Sequence, residues 1–314
     1  MIEITFLGTV SGIPTLDRNH PAIILEYYGE RKDTILFDCG EGTQMQMRRY
    51  HIRLSKINHI FISHLHGDHF FGLYPLLSTY NLMGRKAPLN IYAPAPIMEM
   101  LDRHLSDFDI NLAYELKVHP LGGRTLKLIL SDKHIEVFSF PLRHRIKTFG
   151  FLFREKLADR NIIKSKITEH SLTIAEISSL KKGKDILRAN GELIPCEEVT
   201  LPPPVKASFA FCSDTGYFPK LPSFVAGATL LYHEATFGVE HDALARQTGH
   251  STASHAATVA REAGVQQLLL GHFSARYKSP GPLEEEARKI FPAAEAAVEG
   301  QTYDIKSSEE QIKE

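Results

Sequence analysis

The densest group of chemically capable residues is His64-Leu65-His66-Gly67-Asp68-His69. It closes an apolar run, NHIFIS (58–63), with the character of a strand. At a strand end, residues two apart face the same way, so His64 and His66 present both imidazoles on one side. Gly67 then permits a sharp turn, which lets Asp68 and His69 address a second, nearby position. Neutral imidazoles and a carboxylate are suitable zinc ligands. This cluster does not fill two metal sites by itself, so further ligands must come from elsewhere in the chain.

Three other apolar runs end in the same kind of residue. FSFPLRH ends at His144, FAFCSD at Asp214 and LLLGH at His272. In α/β sheets, functional groups gather outside the carboxyl ends of strands. Seven ligand-type residues at such ends point to one site assembled from distant segments. Around His144 the spacing alone does not decide, because His119 and His134 offer the same chemistry close by. Two ions about 3.5–4 Å apart can clamp the attacking and the leaving oxygen of a phosphodiester.

The elements that must carry these groups alternate. IEITFLG (2–8), PAIILEYY (21–28) and DTILFDCG (33–40) are strand-like. A helix is expected near 42–50, and FFGLYPLLSTYNLMG (70–84) and PIMEMLDRHLSDF (96–108) read as two more. Three β-like runs follow, the last being HIEVFSFPLRH (134–144). Beyond them, ASFAFCS (207–213), ATLLYHE (228–234) and QQLLLGH (266–272) alternate with helices near 252–263 and 282–290. This is the pattern of an α/β fold. Residues 154–206 break it. They are polar, weakly periodic and end in LPPPVK (201–206). Between 154 and 188, nine Lys/Arg stand against five Asp/Glu, a local net of +4. We read them as a flexible basic arm inserted into a single domain that spans 1–314. The polar tail beyond Asp304 is expected to fray.

The chain has 314 residues, enough for one large domain with a sizeable core. A formal net charge of −1 gives no global sign of nucleic-acid binding, so an anionic substrate must meet a local basic patch. Two such patches adjoin ligand motifs: Arg48, Arg49, Arg53 and Lys56, and then Arg143, Arg145 and Lys147 around His144. Cys39, Cys196 and Cys212 are too widely spaced for a disulfide framework or a thiolate zinc site. They fit a reduced, cytoplasmic setting. No signal peptide is expected at the start, and no apolar run approaches the ~18 residues of a membrane helix.

HLHGDH (64–69) is similar to the signature of the metallo-β-lactamase superfamily, which implies an αβ/βα four-layer sandwich. FLGTVSGIP (6–14), FDCGEGTQ (37–44), HEATF (233–237), HST (250–252) and HFSARY (272–277) resemble, in order, motifs of the ribonuclease Z family. The match runs from Phe6 to about Phe291. It departs from the family at Cys212-Ser213-Asp214, where Ser-Gly-Asp is usual, and in lacking a Gly-Pro element before Lys181-Lys182-Gly183-Lys184.

The resemblance implies one zinc on His64, His66 and His144, a second on Asp68, His69 and His272, and Asp214 bridging both. Mn2+ or Fe2+ can replace zinc in such ligand sets. Asp68 is implied as proton acceptor, and Glu234 and His250 match residues held near the metals. We read them as a dyad in which His250 helps to protonate the departing oxygen, the alternative for Glu234 being to orient a ligand histidine. Arg276 and Tyr277 are implied to touch RNA near the cut, and Lys181, Lys182 and Lys184 to grip tRNA far from the metals. The activity implied is zinc-dependent removal of the 3′ trailer of precursor tRNA, after the discriminator base, by a homodimer. The alternative is a phosphodiesterase or ester hydrolase of the same fold acting on small molecules, which would not need a basic arm. A metal-bound RNA-binding protein without catalysis is a third reading, against which the complete ligand set speaks.

Overall fold

The computed structural model describes residues 2–29, 32–156, 159–201 and 206–305. The expected fraying of the tail concerns residues 306–314, outside the described residues, as are 202–205 of the LPPPVK run.

Runs rich in β-branched and aromatic residues pair into two seven-stranded sheets. The first has the order Thr302–Ile305, Ile2–Gly8, Ala22–Tyr28, Lys32–Phe37, Ile57–Phe61, Leu89–Pro94, Leu116–Leu121. The second has the order Ala294–Ala296, Gln267–Gly271, Leu230–Glu234, Ser208–Cys212, Thr148–Glu155, Ile135–Leu142, Lys127–Ser131. Each sheet holds four parallel strands in succession. The carboxyl ends of these parallel blocks carry the chemistry.

The inner faces of the two sheets share one core of aromatic side chains. Phe37 sits at its centre, with the rings of Phe61, Phe151, Phe209 and Phe211 at 5.4–5.8 Å. Helices cover the outer faces. Leu73, Leu76, Leu77 and Tyr80 of the helix Leu73–Leu82 pack against the first sheet, and the alanine-rich face of Ala253–Ala263 packs against the second. Helix, sheet, sheet, helix is the four-layer sandwich expected from the sequence.

Residues 155–206 group as a second unit. Within it, Leu172, Leu180, Ile194, Cys196 and Val199 form a small core of their own. The helix Ile174–Lys181 starts with a capping box between Thr173 and Glu176, and Glu176 also binds Arg188 at 2.7 Å. These elements are two to eight residues long, too short to reveal a period in the sequence. Lys182 and Lys184 are exposed and Lys181 is half-buried at the helix C-terminus, where the helix dipole favours cations.

Replacing Phe37 by Ala should cost about 3–5 kcal/mol, because the cavity would open where the sheets meet. Urea denaturation measures this, and a loss below about 1 kcal/mol would mean that the inter-sheet core does not hold the sandwich together.

Candidate metal centre

The strand Ile57–Phe61 delivers the chain to the site, and the link Ile62–Ser63 is tied on both sides. Ile62 N–H donates to Tyr92 O at 2.8 Å and Ser63 N–H to Asp38 Oδ1 at 2.7 Å. His64 and His66 then present different nitrogens to one point, Nε2 and Nδ1, 3.0 Å apart. His144, just past the strand Ile135–Leu142, brings Nε2 to 3.3 Å from the same His66 nitrogen. Next to this triad, His69 Nε2 and His272 Nε2 lie 3.2 Å apart, with Asp68 Oδ2 at 3.5 and 3.7 Å from them. Gly67 sits at the expected turn without a left-handed backbone. Gly67 opens a short right-handed helix, whereas Gly40 and Gly72 let backbone pass backbone: a Cβ on Gly40 would sit 2.3 Å from Asp68 O, and one on Gly72 2.0 Å from Gly40 O.

Asp214, beyond the end of the strand Ser208–Cys212, is buried between the two groups. Its Oδ1 is 3.2 Å from both His69 and His272, and its Oδ2 is 3.6 and 3.7 Å from His64 and His144. Oδ1 is buried without a hydrogen-bond donor.

The outward nitrogens decide the tautomers. Ser63 Oγ and Thr236 Oγ1 give their own protons to Asp38 and Glu234. They must therefore accept Nδ1–H from His64 and His272, both at 2.9 Å. Gly249 O accepts from His144 Nδ1 at 2.8 Å, and Asp38 Oδ2 from His69 Nδ1 at 2.7 Å. Four histidines thus aim an Nε2 lone pair inward. Burial holds His64, His66 and His144 below the usual histidine range. Burial opposes charge on His69 as well, but Asp214, Asp68 and Asp38 pull it well above that range. Converging imidazole nitrogens and carboxylates are the donor set of a divalent cation, and the described residues offer two such groups around Asp214.

Two residues at the centre have left-handed backbones, Asp38 (φ 54) and His272 (φ 58). That conformation costs about 1–2 kcal/mol for a side-chain-bearing residue, and here it aims the His272 imidazole and the carboxylate that supports His69.

Glu234 is fully buried and collects five donors. Oε1 takes Thr215 N–H, Ser251 N–H and His250 Nδ1–H at 3.0, 3.1 and 2.9 Å. Oε2 takes the N–H and hydroxyl of Thr236. Glu234 therefore orients His250 directly and His272 through Thr236. Burial lowers the His250 pKa, but the Glu234 carboxylate outweighs it and lifts the value to about 9. Burial opposes charge on Asp68, and His69 and His272 hold its carboxyl well below the usual range.

An open cleft of about 400 Å³ exposes the centre, lined by His66, Asp68, Asp214, His250 and His272 together with Arg145. The Arg276 guanidinium lies 5.0 Å over the ring of Phe237, another lining residue. The Tyr277 hydroxyl is engaged by Gly238 N–H at 2.8 Å and Glu240 at 2.7 Å, so it braces the loop after the strand Leu230–Glu234. Of the two basic patches, only the one at His144 reaches the cleft. Arg49, Arg53 and Lys56 line a separate pocket with Lys32. Lys32 opens the strand that ends next to Asp38, roughly 17 Å away along it. The helix Thr43–Arg49 has carried the chain back toward that far end. From the sequence, Asp38 reads as structural support beside the tight turn at Gly40 and Gly42, and nothing there marks Ser63 or Thr236 as metal-centre supports. The position of Asp38 at a strand end was the available signal.

Comparison with known proteins follows the same outline. The chain is 40% identical over 303 residues to a protein named ribonuclease Z from Parabacteroides distasonis, covering 96% of this chain and 99% of that one. It is equally similar to the ribonuclease Z of Bacteroides thetaiotaomicron, 40% identical with 96% and 95% covered. Among solved structures it resembles human tRNase Z, short form, with TM-score 0.71, 27% identity, and 97% and 99% of the chains covered. A family model described as anti-Pycsar protein Apyc1 matches residues 2–157.

Asp38→Asn keeps the shape and tolerates the left-handed backbone, but removes the charge that supports His69. We expect metal affinity to fall about 10–100-fold, measured by competition with a chromogenic chelator, while the thermal unfolding of the metal-loaded protein stays cooperative.

Proposed function

Since this chain belongs to the ribonuclease Z family, we propose that its metal centre serves one reaction, endonucleolytic removal of the 3′ trailer from precursor tRNA. The chain is a metal-dependent endoribonuclease, a phosphodiester hydrolase. Cleavage follows the discriminator base and leaves a 3′-hydroxyl on the tRNA and a 5′-phosphate on the trailer. The observation that carries the reading is the agreement along almost the whole chain with proteins of that name. The seven inward-facing ligand-type residues support it.

The protein uses divalent metal, and we assign it two Zn2+ per subunit. His64, His66 and His144 would hold one, Asp68, His69 and His272 the other, and Asp214 both. When bound, such ions supply Lewis acidity and bring the pKa of a coordinated water towards ~7. Asp68 then accepts the proton of the attacking water. The new bond forms to phosphorus, the bond from phosphorus to the 3′ oxygen breaks, and His250 gives that oxygen its proton from Nε2. Glu234 is a positioning residue in this scheme, since its oxygens are taken up by five donors. Arg145 in the cleft and Arg276 near it meet phosphates. Tyr277 holds the rim on which the RNA rests. Lys181, Lys182 and Lys184 provide a salt-sensitive grip on tRNA.

We also assign the protein to the cytoplasm and to a homodimer. Among the described residues, no helix is long and apolar enough to cross a membrane. Phe71, Leu82 and Met83 are exposed at and beyond the ends of the helix Leu73–Leu82, whose other face is core. They supply an apolar face for a second copy. Leu82→Asp should shift the mass measured by light scattering from two chains to one; an unchanged mass places the interface elsewhere.

The reaction is tested with a labelled precursor tRNA bearing a 3′ trailer. A single new end after the discriminator base is expected, lost on chelation, restored by Zn2+, and absent in Asp214→Ala. His250→Ala should retain its zinc and lose about 10²–10⁴ in kcat. Metal-loaded protein that leaves the precursor whole but hydrolyses a small phosphodiester would overturn the tRNA assignment and keep the metal centre.

A further inference from the structure

His250 lines two hollows. One is the metal cleft, and the other is a hollow of about 320 Å³ bounded by Arg143, Tyr217, Arg246 and His255. The second contains none of the seven ligand-type residues, and its surface has the chemistry of a nucleotide site. Tyr217 stacks on His255 with centroids 5.6 Å apart and planes at 19°, which fixes the ring as a platform. Asp242 neutralises part of the local charge, pairing with Arg246 at 2.9 Å and His255 at 3.4 Å. Arg143 is different. Its backbone is pinned by Thr215 Oγ1 at 3.0 Å and Gly216 N–H at 2.7 Å. Its guanidinium has no hydrogen-bond or ion-pair partner among the described residues, and it precedes His144 directly in the chain. A rooted arginine with a free guanidinium beside a fixed aromatic ring suits a phosphate joined to a base.

The side of the cut follows from His250. In the reaction above, His250 protonates the oxygen that leaves, and that oxygen belongs to the nucleotide 5′ of the cut. The hollow next to His250 therefore receives that nucleotide. We propose that it is the subsite for the discriminator nucleotide, with the base packed on Tyr217 and the phosphate on its 5′ side held by Arg143. The proposal rests on the precursor-tRNA reading. It gives the enzyme a contact that sets the position of the cut, because the scissile phosphate lies one nucleotide from the Arg143 contact.

The test uses full-length, metal-loaded enzyme and a precursor tRNA in two forms, one intact and one abasic at the discriminator position. Tyr217→Ala should raise KM on the intact precursor about tenfold, from the ~1–3 kcal/mol of a stacked base, with little change in kcat. Tyr217→Phe should restore the wild-type value. The abasic precursor should show the same loss with wild-type enzyme and no further loss with Tyr217→Ala, as two changes to one contact must. Arg143→Ala should raise KM and reduce the slope of log KM against log salt by about one. Zinc content of each variant confirms that the metal centre is intact. Independent, additive losses for Tyr217→Ala and the abasic substrate, or an unchanged salt slope for Arg143→Ala, would overturn the subsite while wild-type cleavage left the reaction standing. Wild-type enzyme that does not cut the intact precursor would remove the reaction and the subsite together.

Discussion

A buried carboxylate with its two oxygens turned toward different histidine clusters sets the terms for this structure. Asp214 faces His69 and His272 with one oxygen and His64 and His144 with the other. Burying an ionised carboxylate is costly unless positive charge answers it. Part of the answer lies in His69, which Asp214, Asp68 and Asp38 pull well above the usual histidine range, and a cation held by the two clusters would supply the rest. Asp214 and His272 come from the second sheet and His64 through His69 from the first. The metal centre therefore exists only when the two sheets are packed face to face, and the aromatic core around Phe37 is what packs them.

Around that carboxylate, the supporting residues share a common logic. The inward nitrogens of His64, His69 and His272 are fixed by what the other ring nitrogen donates to: Ser63, held by Asp38, then Asp38 itself, and Thr236, held by Glu234. Asp38 serves the first sheet's histidines, and Glu234 serves His250 and His272. Both are fully buried and both follow or end apolar strands. The left-handed backbones of Asp38 and His272 show that the fold accepts local strain to aim these groups. The hydrogen-bonded pair of Glu234 and His250 belongs to the same network, so His250 and the ligand-type histidines share one foundation.

The fold was largely legible in the sequence because its strands are short, apolar and separated by turn residues, and its helices carry a clear apolar face. The ligand-type residues were legible because they terminate those strands. What was not legible depended on three-dimensional neighbours. Ser63 and Thr236 look like ordinary strand-end residues until the imidazoles they receive are in place. The basic run Arg48 to Lys56 adjoins FDCGEGTQ in sequence, yet the helix Thr43–Arg49 leads it to the other end of the sheet. Close packing at HLHGDH depends not only on Gly67, which lies against the Phe71 ring, but also on Gly40 and Gly72, which touch only in the folded chain. Residues 155–206 hid short helices and their small core because neither repeats long enough to leave a pattern.

The most direct measurement is anomalous scattering at the zinc edge from crystals of the zinc-loaded protein. Two peaks per chain are expected, one against His64, His66 and His144, the other against Asp68, His69 and His272, each in contact with one oxygen of Asp214. A single peak, or Asp214 turned to one cluster alone, would contradict the two-metal assignment.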